Sequence, residues 1–403
     1  MPSILVNCDL LKKVDSRLVA PFSAMTTFFF RRSVEKAFQL DEAPTGLHLR
    51  PDRPLDVSSS PPYITSCVDD VMFIVNKVLQ RSIATSQRHV VSGVVPTIGR
   101  VLGSDFVGMV QRKMRDESYP KAVIQGGYPP QDKIVAFLVL INNLDIATDY
   151  LARIVDSQTK AEASSQSATP LAALFPFEHD STFVATTLHS LHTSFASKTS
   201  ELISDGLHVT FDRVIKPLVR PLVADAFREA DYALSEAELH ELTLPRDDLD
   251  GGTDESTTIS PVAVRFQLQW DALMTPIARL LTPQNNSKLL SSTASYLATK
   301  LLEKRLWSLH GRINELGAVR LERDIAGIIG TVVRGGKGGG YGLREKFARC
   351  IQICWVVNME KDEWEELNDM EADPSEEDGG VDWKLDRSER RRARAMLISA
   401  GQT

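Results

Sequence analysis

The stretch Ser66-Cys-Val-Asp-Asp-Val-Met-Phe-Ile-Val-Asn-Lys-Val-Leu-Gln-Arg81 decides the fold class. Its apolar side chains Val68, Val71, Met72, Val75, Val78 and Leu79 recur every three or four residues, which gathers them on one face of a helix. Asp69 and Asp70 stand in the first turn, where the helix dipole favours negative charge. Asn76, Lys77 and Gln80 lie mostly opposite the apolar face. The segment is an amphipathic helix whose residues are arranged for packing and not for chemistry.

Working outward, nearly every ordered segment reads the same way. Residues 21–40 carry Phe22, Met25, Phe29, Val34 and Phe38 at helical spacing. A helix follows over 89–116, with Pro96 expected to kink it because proline removes a backbone donor. Another spans 131–157, with Ile134, Phe137, Leu138, Ile141, Leu144 and Leu151 in register. Helical pattern resumes over 181–204 and continues to Phe227, bent at Pro217 and Pro221. Beyond it come 261–280, 286–309, the clean run Leu321, Ile325, Ile328, Ile329, Val332, Val333, and 343–359. The Pro/Ser-rich stretch after Asp41 and the Ser/Ala-rich stretch 161–176 read as loops. Strand signals over 207–211 and 351–357 are weak and flanked by helices.

These elements predict an all-α chain. Residues 1–60 read as the end of a preceding helical bundle plus a flexible loop. Residues 62–242 read as a helical bundle domain and 261–403 as a C-terminal bundle domain. Between them, 243–260 holds Pro245, Gly251-Gly252 and several acidic residues, a composition shift that marks a linker.

Bulk properties narrow the function classes. A chain of 403 residues with 43% hydrophobic and 25% charged residues is ordinary for a soluble globular protein. Its net charge of −7 argues against a surface devoted to nucleic acid. Apolar runs such as Phe28-Phe29-Phe30 and 136–141 are cut short by Arg31-Arg32 and Asn142-Asn143, so no membrane span is expected. Residues 1–11 lack the pattern of a secretory signal. Cys8, Cys67, Cys350 and Cys354 read as reduced apolar thiols, since no further ligands stand near for zinc.

Few motifs invite a chemical reading. Gly335–Gly342 resembles a phosphate loop, which offers a nucleotide-binding enzyme as the alternative function. However, Gly336 stands where that motif needs lysine, Lys337 is followed by Gly338, and a helix precedes in place of a strand. His189 and His192 have no adjacent carboxylate, and His240-Glu241 lacks the second histidine of a zinc protease. Neither a catalytic residue, nor a cofactor, nor a metal site is expected. Residues 360–382 are dense in Asp and Glu and read as solvated. Arg390, Arg391, Arg392 and Arg394 form a basic cluster that suggests an interaction patch, with a lipid-surface module as a further alternative. Met396-Leu397-Ile398 beside them favours a packed amphipathic helix.

Several segments in order carry a resemblance. They are Met25 to Asp41 (MTTFFFRRSVEKAFQLD), Cys67 to Lys77 (CVDDVMFIVNK), and Phe137 to Asn143 (FLVLINN). Ile215-Lys-Pro217 and Val219-Arg-Pro221 follow, then Leu302-Glu-Lys304 and Gly311 to Gly317 (GRINELG). Leu343 to Arg349 (LREKFAR), Trp383-Lys-Leu385 and Ser388-Glu389 complete the series. Together they resemble subunit four of the conserved oligomeric Golgi complex, a vesicle-tethering assembly. The Pro/Ser and Gly insertions are similar to those of a fungal relative.

The resemblance implies an elongated rod of stacked helical bundles, as in multisubunit tethers. It implies a peripheral protein on the cytosolic face of the Golgi, acting in retrograde traffic. Partners would be sibling tether subunits, SNAREs and Rab-type GTPases, with no nucleic acid and only peripheral membrane association. The family's long N-terminal half has no counterpart here, so the chain reads as a C-terminal half. The resemblance also carries over one pair, Arg349 from the Phe-Ala-Arg motif and Glu389 from the final Ser-Glu. They are expected to form a structural salt bridge tying the last helix to the preceding bundle, and breaking it from one side would cost about 3–5 kcal/mol if it is partly buried.

Overall fold

A computed structural model of the chain describes residues 9–55, 60–124, 126–159, 171–235, 260–335, 340–370 and 382–398. Among the described residues the regular structure is helical, with one isolated bridge pairing Ile313 and Leu397. The weak strand signals at 207–211 and 351–357 are overridden, and both stretches are helical. Contacts divide the chain into two compact units, Met1–Thr210 with Arg279–Thr282, and Phe211–Ala278 with Pro283–Thr403.

Among its described residues the first unit holds five long helices. Helix α1 runs over 10–39, α2 is Ser66–Ala84, α3 is Arg88–Glu117, α4 is Gln131–Thr159 and α5 is Glu178–Thr210. Helix α2 buries the face its sequence announces, with Val68, Val71, Val75 and Leu79 fully enclosed. Each such side chain contributes about 1.5–3 kcal/mol relative to exposure. Val78, at the edge of that face, is only half-buried, and Phe73 is left outside with the Lys77 ammonium over its ring. Helix α1 packs on α2 and α3, α2 packs on α4, and α5 packs on α3 and α4. Residues 9–39 therefore join the same unit as the helices that follow, where the sequence assigns 1–60 to a preceding bundle.

Helix α4 is enclosed on most sides, from Ile134 through Leu144 to Val155. Both α3 and α4 are long and apolar enough to cross a membrane by length and composition. The apolar window of α4 is 72% buried within its own bundle, the condition of a central core helix. Its polar pair Asn142-Asn143, which breaks the apolar run in sequence, is fully buried. Asn143 exchanges two hydrogen bonds with Thr65, accepting from its backbone N–H at 3.0 Å and donating to its hydroxyl at 2.9 Å. Asn142 donates to the carbonyls of Tyr63 at 3.1 Å and Leu280 at 2.7 Å, and accepts from the Thr282 N–H at 3.1 Å. Backbone groups of residues 63–65 and 280–282 are thus satisfied by one helix, as buried peptide groups require.

The second unit contains α6, Lys216–Ala226, then α7, Pro261–Leu280, whose last residues belong to the first unit. Helix α8 runs over 283–307 and α9 is Glu315–Arg334. A short helix, Gly340–Glu345, precedes α10, Ala348–Asn358. Helices α11, Lys361–Met370, and α12, Arg387–Arg394, complete the described part. Helix α10 packs on α9, α8 and α12. The predicted helix 343–359 is therefore interrupted, with Phe347 at the N-cap of α10. The first part of the acidic run forms α11, and its Asp362, Glu363, Glu365 and Glu366 are exposed to solvent. Asp362 and Glu363 in the first turn favour the helix dipole there.

The two units separate at Thr210/Phe211, earlier than the compositional shift at 243–260. Phe211–Ile215 and α6 pack on α8, which takes them into the second unit. Of 243–260 only Ser260 lies among the described residues.

Candidate functional site

The residues singled out by the sequence converge on the start of α10. Arg349 occupies its first turn, Glu303 stands on α8, and Glu389 is the third residue of α12. Arg349 donates to Glu389 through two nitrogens, Nη2 to Oε1 at 2.6 Å and Nη1 to Oε2 at 3.1 Å. Nε and Nη2 also donate to Glu303 Oε1 at 3.1 and 2.7 Å, and Nη1 to the Lys384 carbonyl at 2.8 Å. The planar guanidinium suits this work, because its fork matches a carboxylate edge-on and has donors left over. Three helices and the segment before α12 are joined at one cation.

Glu389 serves a second purpose. Its carboxylate accepts from the Asp386 N–H at 3.0 Å while Asp386 accepts from the Glu389 N–H at 2.8 Å, a capping box at the start of α12. The Arg349 hydrogen bond holds the Glu389 carboxyl below its ordinary range, opposed by partial burial. Glu389, and then Glu303, push the Arg349 guanidinium further up.

The basic cluster does not assemble into one surface. Arg390 is 4% exposed and its guanidinium lies 4.6 Å from the Trp383 ring centroid. Arg392 stacks on Trp307 at 4.7 Å. Arg394 Nη1 donates to the carbonyls of Met359 at 2.6 Å, Val357 at 3.3 Å and Val356 at 3.4 Å, the unpaired C-terminal end of α10. Arg391 is exposed. Arg390, Arg392 and Arg394 thus each contact other parts of the fold, with Arg392 also exposed.

A second node explains the segment Gly311 to Gly317. Gly311 has φ +68°, a left-handed turn, and its N–H donates to the Met396 carbonyl at 3.0 Å. The Ile398 N–H donates to the Ile313 carbonyl at 2.8 Å, so the end of the described chain is pinned here. Asn314 caps α9 by accepting from the Gly317 N–H at 2.8 Å. It also exchanges hydrogen bonds with Leu234 at 3.2 and 2.6 Å. A Cβ on Gly317 would stand 1.7 Å from the Tyr232 carbonyl oxygen, so the strap 231–235 lies where any side chain would be. The Tyr232 hydroxyl donates to Asp324 at 2.8 Å, and Ser260 donates to the other oxygen of the same carboxylate. Asp324 is fully buried on α9, and burial pushes its carboxyl up despite these donors.

The first unit has a comparable node, at Asp41. Its carboxylate accepts from the Cys67 N–H at 3.1 Å, at the start of α2, and from the Lys113 ammonium at 2.6 Å. Burial works to raise this carboxyl, but bonds from Lys113, Thr65 and Cys67 outweigh it and hold the group below its ordinary value. Cys67 and Cys350 are buried free thiols, pushed up to about 12 by that burial. They are protonated at neutral pH and therefore poor nucleophiles.

Among the described residues no cluster of three or more His, Cys, Asp or Glu could hold a metal ion. Gly336–Gly339 of the glycine-rich loop, Lys337 included, and His240-Glu241 lie outside the described residues. Glu303 and Asn142 stand in the motifs Leu302-Glu-Lys304 and Phe137 to Asn143, but no pattern named their partners, which lie tens of residues away, and Asp324 stands in none of the motifs.

Comparison with known proteins places these nodes in a class. The all-α fold is one that a solved structure shares. It is similar to the C-terminal domain of the exocyst subunit Sec6p, with a TM-score of 0.51 and 13% identity over 96% of this chain and 90% of that one. Residues 137–392 match the family described as conserved oligomeric Golgi complex subunit 4, C-terminal. Residues 1–114 match the COG4 transport protein, middle alpha-helical bundle. The chain belongs to the family of conserved oligomeric Golgi complex subunit 4.

Among its relatives, subunit 4 of Arabidopsis thaliana is 24% identical over 92% of this chain and 43% of its own length. Subunit 4 of Saccharomyces cerevisiae is 25% identical over 68% and 31%. That of Homo sapiens is 22% identical over 99% and 48%. The chain spans less than half the length of these relatives.

Proposed function

We propose that this chain acts as a non-catalytic helical scaffold in a Golgi vesicle-tethering complex, presenting helix surfaces to partner proteins. Its place is the cytosolic face of the Golgi, held peripherally, in retrograde vesicle transport. Its partners are the other subunits of the complex, with SNAREs and Rab-type GTPases as further ones. The observation that carries this reading is the match of 137–392 to the C-terminal family, joined to what the motif residues do here. Arg349, Glu389, Asn142, Asn314 and Gly317 are spent on holding helices and straps together. A scaffold needs surfaces fixed in place, and such residues supply that.

Affinity purification of the tagged chain from cells tests the reading. Sibling tether subunits are expected to co-purify. Absence of every sibling subunit from the purified material overturns it.

A further inference from the structure

We draw no further inference here: the strongest candidate, the cavity in the first unit between residues 41–55, the end of α3 and the start of α4, carries none, because its cations Arg50, Arg53, Lys113 and Lys133 stand against Asp41, Glu117 and Asp132, which selects no ligand chemistry, and nothing in the structure shows what fills it.

Discussion

Arg349 sits between two carboxylates, and that decides how its replacement will behave. Its side chain is 34% exposed and that of Glu389 28%, so solvent screens part of the attraction. The pair falls between an exposed bridge, at about 0–1 kcal/mol, and a buried one, at about 3–5 kcal/mol. Glu389→Gln should destabilise by about 1–2 kcal/mol in urea titration, since Arg349 keeps Glu303. Arg349→Met should cost more, because Glu303 and Glu389 then face each other without a cation, and Arg349→Lys should not restore the loss. Equal effects from both sides would show that Glu303 is not part of the node. Gly317 gives a sharper case. Gly317→Ala meets a backbone oxygen that cannot swing aside and should lose at least about 2–3 kcal/mol. Gly330→Ala on the same helix meets nothing within 4 Å and should gain about 0.5–1 kcal/mol. Differential scanning calorimetry reads both, and a harmless Gly317→Ala would refute the packing of the strap. The Arg349–Glu389 pairing was legible only through resemblance, because the two stand 40 residues apart. Glu303, 46 residues away, stands in the Leu302-Glu-Lys304 motif, but nothing there named Arg349 as its partner.

Helices were readable where one face does all the work. The α2 stripe and the α9 run Leu321 to Val332 bury as their spacing predicts. Periodicity is a local property, and both faces of such a helix are written in neighbouring residues. What spacing could not convey is the use of polar groups inside helices. Asn142 and Asn143 look like interruptions of an apolar run, yet they pair with groups 78 to 140 residues distant. Arg390, Arg392 and Arg394 look like one patch, yet each turns to a different task. Helix α9 provides the test at this scale. Asp324 has its carboxyl raised by burial, with Tyr232 and Ser260 donating to it. A carboxyl raised on folding contributes stability below its unfolded value near 4, and that contribution is lost as pH rises through the folded value. Asp324→Asn removes the titration and keeps an acceptor for one hydroxyl, while the other must turn to accept from the new amide N–H. Relative to wild type, the variant should therefore gain stability between pH 4 and 7, about 1.4 kcal/mol for each pH unit by which the folded value exceeds the unfolded one. Urea midpoints at several pH values measure this, and a difference that does not vary with pH would show that Asp324 does not titrate in the folded chain.

Each of the two compact units carries its own acid-sensitive lock, and this sets how the whole molecule should respond to low pH. In the first, Asp41 joins the start of α2 to Lys113 on α3. In the second, Glu389 joins α12 to Arg349 on α10. Both carboxyls are held below their ordinary values in the folded chain. A carboxyl lowered on folding contributes stability above its unfolded value near 4, and that contribution is lost as pH falls through the folded value. Asp324 has the opposite sign and offsets part of the loss in the second unit. Between pH 5 and 3, amide protection should therefore fall at the first turn of α2 and at α12, after correction for the intrinsic exchange rate. Local opening of this kind is read segment by segment in hydrogen exchange. Asp41→Asn should remove the pH dependence at α2 and leave that at α12, and Arg349→Met should do the reverse. If either substitution abolished the acid response at both places, the two locks would have to act as one, and the separate carboxylates would not account for the behaviour.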